Sequence, residues 1–547
     1  MKKRLLIAND SSFLDTGYGI YGRELISRLH KSGKYEVAEL GCYAEKDHPK
    51  TKSIPWKFYP NAVNVADKRF DQYRSNNINQ FGLWRFNRVL VDFKPHIVFD
   101  IRDYWMYAYQ ETSPYKKYFH WVIMPTTDSA PPKTEWLYTF ANADLIVPYT
   151  QWAYKVLSQT CGSNINLFPK IANAGINPSE FFPIENKQSH QQKYFGKDVS
   201  IVGVVMRNQR RKLLADMMMA YRKYLEALKL SNNIELYNKS HLYLHTSYPE
   251  DNGWDLPSLL LEFNLLDKTY FTYTCKQCNS FFPAKFQTSV TTCKNCKQKS
   301  AAIANPNNGV NTSQLNEIYN LFDLFVQYAI CEGFGMPQVE AAACGLQIAS
   351  VDYSAMTEIV ENLHGYKIPL VTLFREMETN ADRALPDNDA TSKIIYNHMV
   401  NISPEQKLAN SKIIREKCLE QYTWDAVYNV WDECFDSIDI RKKPSWDTPD
   451  LNITNHTSVK VPKDLDQAEF IEFICTNVIN SPELLKTAHT QCLIRDSVSG
   501  IVARNGTLSS LNKQQIIEIL EGHMNNKIVC EKMRTQPNTL IKEDFIP

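Results

Sequence analysis

Two carboxylates flank a glycine-rich turn in the run from Cys331 to Gly345. Glu332 opens the turn and Glu340 follows eight residues later, with Gly335 and Pro337 between them. Pro337 has a fixed φ that suits the first position of a helix, and the free N–H groups at a helix start favour an anion. Apolar segments before and after this run predict a strand, a loop, a helix and a second strand. The spacing therefore indicates a phosphate-sized site with two carboxylates able to face one ligand.

The order of acid, glycines, proline and second acid resembles the Glu-x7-Glu signature of retaining glycosyltransferases with the GT-B fold, the group 1 family of glycogen synthase-like and mannosyltransferase-like enzymes. This resemblance implies an α/β fold with two Rossmann-like, doubly wound domains facing across a cleft. It implies that Glu332 contacts hydroxyls of the transferred sugar and that Glu340 binds the ribose of a nucleotide-diphosphate sugar. It adds three donor-binding loop residues, Gly333, Phe334 and Gly335. The alternative is an ordinary helix start with two solvated carboxylates.

A second segment supplies positive charge. Residues 201–206 predict a strand, and a basic run from Arg207 to Lys212 follows it. The resemblance implies that Arg207 and Lys212 grip the donor diphosphate, and an arginine fork and a lysine point charge both suit phosphate oxygens. Solvated side chains are expected for Arg210 and Arg211. With protein cations on the diphosphate, no catalytic metal is expected.

Two further positions fit the family in chain order. Gly17 and Gly19 follow a predicted strand at residues 5–8 and precede a helix predicted to begin near Ile20. The resemblance implies that the donor diphosphate or the acceptor is held at this loop. Asn173 to Asn177 is similar to the family segment at the end of the first domain.

Asp128 is the candidate for acceptor chemistry. It follows a strand predicted at residues 120–124, in the turn Thr126 to Ser129. The turn resembles that of a subgroup whose motif reads Pro-x-x-Asp, which implies an acceptor-side polar residue or base. An Asx-turn that caps the next segment is the alternative.

Four cysteines have the spacing of a metal site. They form two Cys-x2-Cys pairs separated by fourteen residues: Cys275 with Cys278, and Cys293 with Cys296. Two tight turns at this spacing can present four thiolates tetrahedrally to one zinc ion. Four protein ligands leave no open position, so we expect a structural zinc ribbon, inserted in the second domain. The alternative is four buried free thiols.

The predicted ribbon also raises the question of the acceptor. Five lysines lie near three phenylalanines within it: Lys276, Lys285, Lys294, Lys297 and Lys299, with Phe281, Phe282 and Phe286. Lysines that neutralise phosphates and exposed rings that stack on bases would suit a nucleic acid. The other interpretation is that the rings form the ribbon core and the lysines its solvated surface. A saccharide acceptor is the first choice, and a modified DNA base is the alternative.

Composition excludes several classes of protein. The 547 residues include 61 basic and 60 acidic side chains, for a net charge of +1, and 44% are hydrophobic. No global field therefore draws the chain to nucleic acid or to a membrane surface. Thirteen cysteines, an odd number spread along the chain, argue against a disulfide framework. No apolar stretch is long enough to span a membrane, so a cytoplasmic protein is expected.

Strand and helix patterns predict the domain order. An N-terminal acceptor domain is expected over 1–190 and a nucleotide-sugar domain over 191–415, with the ribbon at 268–305. A closing helix is expected over 416–444, and a linker with a helical extension over 445–547. The predicted function is transfer of a sugar from a nucleotide-diphosphate sugar to a hydroxyl acceptor, with retention of configuration. An inactive GT-B scaffold that binds a partner through the ribbon and the C-terminal helices is a further alternative.

Overall fold

The computed structural model describes residues 2–305, 307–446 and 472. The described chain forms two compact units: residues 2–127, 131–172 and 428–446 form the first, and residues 128–130 and 173–427 form the second. Residues 173–190, which the sequence analysis assigns to the first domain, therefore belong to the second unit. The helical extension predicted beyond residue 446 lies outside the described residues.

The first unit is built on a six-stranded parallel sheet with strand order β3-β2-β1-β4-β5-β6. Its strands are β1 Lys3–Asp10, β2 Tyr35–Cys42, β3 Lys57–Pro60, β4 Ile97–Asp100, β5 His120–Ile123 and β6 Leu145–Ile146. Its helices are α1 Gly17–Lys31, α2 Phe70–Arg74, α3 Phe86–Phe93, α4 Tyr104–Tyr107, α5 Thr134–Asn142 and α6 Gln151–Cys161. Every residue of β4 and β5 is buried, as expected where helices cover both faces of a parallel sheet.

The second unit repeats the same strand order around its own core. Six parallel strands lie in the order β9-β8-β7-β13-β14-β15, so the third, second, first, fourth, fifth and sixth parallel strands are neighbours as in the first unit. These strands are β7 Ser200–Val205, β8 Ser240–His245, β9 Thr269–Cys275, β13 Leu324–Gln327, β14 Ile348–Val351 and β15 Tyr366–Ile368. This is the doubly wound arrangement that the alternation of strands and helices predicts.

Helices and short strands complete the second unit. Its helices are α7 Lys187–Phe195, α8 Leu214–Leu230, α9 Ile234–Lys239, α10 Leu256–Glu262, α11 Thr312–Tyr319, α12 Met336–Ala343, α13 Ala355–Asn362, α14 Asn388–Tyr396 and α15 Pro404–Gln421. Its antiparallel strands are β10 Phe281–Lys285, β11 Thr291–Thr292, β12 Lys299–Ile303, β16 Leu370–Arg375 and β17 Asp382–Pro386. Helix α16, Trp424–Ser437, begins in the second unit and ends in the first. No helix of the described residues is long and apolar enough to cross a membrane.

The cysteine-bearing segment is continuous with the main sheet of the second unit. Strand β9 pairs in parallel with β8 through residues 269–271, and in antiparallel with β10 and β12. Phe271 and Cys275 of this strand belong to the hydrophobic core of the unit. The segment predicted as a separate inserted module is therefore an extension of the third parallel strand. The short strands of the ribbon join the same sheet, because the strand that begins the ribbon is also the third parallel strand of the doubly wound fold.

Candidate functional site

Glu332 lies in the loop between β13 and α12, and its side chain is buried. Lys212 contacts Oε1, Gln327 Nε2 donates to Oε1 over 2.8 Å, and Arg211 Nη1 lies 2.9 Å from Oε2. A buried carboxylate needs such partners, because an unpaired charge in the interior is strongly unfavourable. Two cations and one amide therefore hold Glu332 in a single orientation.

The backbone of Glu332 is fixed by Ser354, which precedes α13. The Glu332 N–H donates to Ser354 Oγ over 3.0 Å, and the same hydroxyl donates to the Glu332 carbonyl over 3.1 Å. Ser354 has φ +55°, a left-handed conformation that is uncommon outside glycine and that concentrates at functional sites. Nothing in the sequence marked Ser354, because its role depends on two loops that are separate in the chain.

Lys212 is buried at the end of the loop that follows β7. Burial, and to a lesser degree the neighbouring Arg211, lowers the pKa of the Lys212 ammonium, while a carboxylate in contact favours its charged form. The Lys212 carbonyl accepts a 2.8 Å hydrogen bond from the indole of Trp254. The Arg211 carbonyl accepts another from the Ile330 N–H at 3.0 Å. These bonds hold the basic loop against the Glu332 loop.

Of the three arginines in the basic run, one has a different environment from the one that the sequence analysis predicts. Arg207 is 59% exposed and pairs with Glu250, and Arg210 is 84% exposed, as predicted for a solvated side chain. Arg211 was also expected to be solvated, but it pairs with Glu332. Because the loop turns between Arg207 and Lys212, Arg211 faces the Glu332 carboxylate. The position of Arg211 in the sequence does not by itself identify this partner.

Helix α12 begins after a glycine and has no side-chain cap. Gly335 is the N-cap at φ +92°, no side chain caps the helix, and Pro337 lies in the first turn. The φ of +92° favours glycine at position 335, and a Cβ there would also come within 2.6 Å of Gln338 Nε2. Gly333 is buried in the same loop. Phe334 is also buried, with its ring centroid 5.8 Å from that of Tyr422, so its side chain packs in the core.

Glu340 lies inside α12 and is buried. Tyr319 of α11 donates its hydroxyl to Glu340 Oε2 over 2.6 Å. Burial raises the pKa of Glu340 to about 7, against the opposing effect of the Tyr319 hydrogen bond. The carboxyl therefore changes its charge near neutral pH, which distinguishes it from a solvated helix-start carboxylate.

Asp128 belongs to the second unit and is held by groups that the sequence analysis did not identify. Arg383 Nη1 lies 3.1 Å from Asp128 Oδ1, and the Cys331 thiol donates to Oδ2 over 3.2 Å. Ser129 Oγ also donates to Oδ1, at 2.9 Å. Arg383, on β17, reaches Glu376 as well, at 2.7 Å. Asp128 therefore contacts Cys331, the residue that precedes Glu332. Arg383, from the β16–β17 hairpin, contacts the same carboxylate.

Gly17 and Gly19 lie in the first unit, at the start of α1. Thr16 caps this helix: its Oγ1 accepts from the Gly19 N–H at 3.0 Å and donates to Asp10 Oδ2 at 2.8 Å. A Cβ at Gly19 would approach the Leu14 carbonyl oxygen to 2.5 Å, whereas a Cβ at Gly17 would meet nothing within 4 Å. Packing therefore requires Gly19, and open space surrounds Gly17.

The first unit also contains a buried ion pair that the sequence analysis missed. Arg102 Nη2 lies 2.6 Å from Asp100 Oδ2, and both side chains are fully buried. Gln110 Nε2 donates to the same oxygen over 2.8 Å. Asp100 is the last residue of the apolar strand β4, and Arg102 follows two positions later. An acid at the end of an apolar strand, followed closely by an arginine, is the sequence pattern that could have predicted this ion pair.

The four predicted metal ligands come together. The sulfur atoms of Cys275, Cys278, Cys293 and Cys296 all lie within 4.8 Å of one another. Two pairs are 3.6 Å and 3.7 Å apart, Cys275 with Cys296 and Cys278 with Cys293. Tetrahedral zinc with Zn–S bonds of about 2.3 Å separates its sulfurs by about 3.8 Å. The four sulfurs are therefore close enough together to hold one metal ion such as zinc.

The lysines and rings around this cluster do not form a stacking surface. Phe281 and Phe282 are buried, and Phe286 packs against the core. Lys285 Nζ lies 3.5 Å from the centroid of the Tyr270 ring, and Lys294 donates to a backbone carbonyl. The nucleic-acid alternative depended on exposed rings, and these three rings are not exposed.

Comparison with known proteins identifies part of this chain. Residues 307–392 match the sequence model of the family described as "Glycosyl transferases group 1". The match contains the Glu332 loop, α12 and Arg383. No curated protein matches the chain in sequence.

Solved structures resemble most of the chain at low sequence identity. Sucrose-phosphate synthase from Thermosynechococcus elongatus shares 15% identity, with a TM-score of 0.55, over 80% of this chain and 99% of its own. Anabaena HepE in complex with UDP-glucose shares 11%, with a TM-score of 0.55, over 80% of this chain and 100% of its own. The OtsA apo structure shares 13%, with a TM-score of 0.53, over 80% of this chain and 98% of its own. The parallel sheets and these structural similarities show the GT-B fold, and the segment from 307 to 392 matches the group 1 model.

Proposed function

We propose that the protein is a retaining glycosyltransferase that moves a sugar from a nucleotide-diphosphate sugar to a hydroxyl of a saccharide. The observation that carries this proposal is the buried Glu332 carboxylate, held by Lys212 and Arg211 directly before the uncapped start of α12. An ordinary helix start with solvated carboxylates has no need for this arrangement. The HepE complexes with UDP and with UDP-glucose support the choice of donor class.

The proposed chemistry follows from where charge develops. Cleavage of the sugar–phosphate bond leaves a diphosphate with added negative charge and a sugar with oxocarbenium character. Lys212, Arg211 and the N–H groups at the start of α12 stabilise the diphosphate as preorganised positive charge. Glu332 accepts hydrogen bonds from hydroxyls of the transferred sugar. In the unliganded protein the same cations neutralise Glu332, so the donor replaces part of an existing charge network.

Two carboxyl groups have proposed roles at the edges of this reaction. Glu340 receives the ribose hydroxyls, and its pKa of about 7 makes the strength of that contact depend on pH. Asp128 acts on the acceptor side, where Arg383 fixes its orientation. We assign Arg207 to the diphosphate as an exposed cation that leaves Glu250 when the donor binds. Gly17 and Gly19 let the backbone at the start of α1 approach donor or acceptor closely.

The four-cysteine cluster is proposed as a structural zinc site. Four thiolates fill a tetrahedral shell and leave no position for substrate, so the ion would stabilise β9 and its hairpins. The reaction proposed above uses protein cations at the diphosphate and no metal there.

A donor-hydrolysis assay tests the proposed function. The purified chain is incubated with UDP-, GDP- and ADP-sugars, and released nucleotide and free sugar are followed by chromatography and proton NMR. We expect slow hydrolysis of at least one donor, with the initial sugar anomer matching that of the donor. Brief exposure to EDTA should leave the rate unchanged. Failure of every donor to bind would favour the inactive scaffold, and an inverted anomer would contradict retention.

A further inference from the structure

A concave pocket of about 240 Å³ lies in the first unit. Three segments line it: the loop after β1, the face of α1 that carries Arg23 and Lys31, and the segment between β2 and β3 that carries Lys50 and Trp56. Its volume equals that of about eight liquid waters at roughly 30 Å³ each. This space suits one small polar molecule and is too small for a complete nucleotide-diphosphate sugar.

The charges on the pocket wall are positive and poorly compensated. Arg23 lies 3.5 Å from Asp15, whose side chain is 82% exposed, so solvent screens that pair. Lys50 Nζ donates only to the Phe13 carbonyl at 3.4 Å. Within the described residues, neither Lys31 nor Lys50 forms an ion pair. The whole chain has a net charge of +1, so this excess is local. Three cations around one small cavity favour an anionic ligand.

Other titratable groups around the pocket leave that balance positive. His30 also lines the wall. Glu24 pairs with Arg28 at 2.7 Å on the neighbouring face of α1, and its other oxygen lies 3.8 Å from Arg23. Glu39 lies buried behind the wall, and burial raises its pKa to about 7, which reduces its negative charge at neutral pH.

Hydrogen bonds hold the aromatic side of the pocket in place. The indole of Trp56 donates to Glu39 Oε2 over 2.7 Å, and the Ser12 N–H donates to Oε1 over 2.7 Å. The Phe13 ring stacks on His48 with 4.4 Å between centroids. A fixed aromatic wall combined with a few polar groups is typical of a small-molecule pocket. An aromatic face next to hydroxyl and ammonium donors suits a sugar ring that carries an anionic group.

We propose that this pocket binds a phosphorylated saccharide, either as the acceptor or as the anionic end of a longer acceptor. The proposal rests on the glycosyltransferase function proposed above, because it names the acceptor class of that reaction. Lys31, Lys50 and Arg23 hold the phosphate, and the sugar ring lies against Trp56. The three cations are contributed by two segments, so the pocket recognises the phosphate in a fixed position.

Isothermal titration calorimetry on the full chain, without any nucleotide sugar, tests the pocket directly. The probes are the 6-phosphates of glucose, mannose and N-acetylglucosamine, the three free sugars, and inorganic phosphate. We expect at least one sugar phosphate to bind with an affinity that falls as salt rises, and to bind at least tenfold more tightly than inorganic phosphate or its free sugar. Lys31→Ala/Lys50→Ala should weaken binding at least tenfold. Trp56→Phe should weaken the sugar phosphate more than inorganic phosphate.

A matched control separates the pocket from general surface charge. Lys52→Ala removes an exposed lysine of the same segment that does not line the cavity, and it should bind like the unchanged protein. Equal binding by the double variant, equal affinity for inorganic phosphate and sugar phosphate, or no binding by any sugar phosphate would overturn the proposal. Binding is measured here without turnover, so a pocket that binds in a chain that hydrolyses no donor would overturn the proposed function alone.

Discussion

The two units have the same order of parallel strands, but the candidate site of the second and the pocket of the first differ in how their charges are compensated. In the second unit, Glu332 is buried and neutralised by Lys212 and Arg211. In the first unit, Lys31 and Lys50 line a pocket and have no ion-pair partner among the described residues. The same strand arrangement therefore supports two kinds of site. The site in the second unit is assembled from internal ion pairs, and the pocket in the first unit has an excess of exposed cations.

This difference predicts how each unit responds to substitution. Removing one member of a buried pair leaves an uncompensated charge, so changes near Glu332 should reduce stability and activity together. Changes to exposed cations should reduce ligand binding and leave stability nearly unchanged. The following predictions test this contrast, from the largest expected effect to the smallest.

The largest effect is expected at the cysteine cluster of the second unit. Cys278→Ser should release one zinc ion per chain, and thiolate ligation of zinc contributes on the order of 10 kcal/mol to folding in small zinc peptides. Because β9 belongs to the parallel sheet, the loss should lower the unfolding temperature of the second unit and not of the hairpins alone. Native mass spectrometry and calorimetry measure both changes. Lys276→Ala, next to a ligand, is the control. Freshly purified protein without metal and with four reactive thiols would contradict the assignment.

Lys212→Ala should lower donor turnover by roughly a hundredfold or more and destabilise the protein by roughly 3–5 kcal/mol, because a buried carboxylate loses its contacting cation. Initial rates of donor hydrolysis and urea unfolding measure the two effects. Arg210→Ala removes an exposed charge from the same loop and should change neither. Normal turnover in Lys212→Ala would remove this residue from the reaction.

Two buried glutamates, one in each unit, should make stability depend on pH. Glu340 and Glu39 have pKa values raised to about 7 by burial, from an ordinary value of 4.5. The folded state then holds a proton that the unfolded state releases, so each contribution is complete below pH 4.5 and is lost as pH rises through 7. Each loss should approach about 3 kcal/mol. Glu340→Gln and Glu39→Gln should each remove the contribution of that glutamate to the pH dependence of the unfolding free energy, measured between pH 5 and 8.

Alanine at the two glycines of α1 should have unequal effects. Gly19→Ala places a Cβ 2.5 Å from the Leu14 carbonyl and should destabilise the chain by roughly 1–3 kcal/mol. Gly17→Ala meets open space, so its effect on stability should stay within about 0.5 kcal/mol. If Gly17→Ala nevertheless lowers turnover, the backbone at Gly17 approaches a ligand closely. Equal destabilisation by both substitutions would contradict the packing difference.

The smallest effect is expected at Arg207. Its guanidinium is 59% exposed and pairs with Glu250, so Arg207→Ala should lower donor turnover by about tenfold and leave the unfolding free energy unchanged within about 0.5 kcal/mol. Arg207→Lys, which keeps the charge but loses the planar fork, should recover part of the rate. An unchanged rate in Arg207→Ala would assign diphosphate binding to Lys212 and Arg211 alone.

Local patterns in the sequence were sufficient for the strands and for the grouping of the four cysteines. The apolar segments predicted as strands before and after the Glu332 run are Leu324–Gln327 and Ile348–Val351. Such runs can be recognised in the sequence because a strand buried on both faces is mostly apolar. The two Cys-x2-Cys pairs came together because each tight turn presents its own two sulfurs.

Tertiary structure decided which charges meet. Arg211 pairs with Glu332 across more than a hundred positions in the chain, Ser354 holds the backbone of Glu332, and Arg383 orients Asp128. The segment predicted as a ribbon is part of the main sheet because β9 is the third parallel strand and also carries Cys275 of the cysteine cluster. Periodicity and spacing report on neighbours along the chain. The contacts of Glu332 and Asp128 and the order of the strands join segments that are distant in the chain, so they exist only once the sheet has formed.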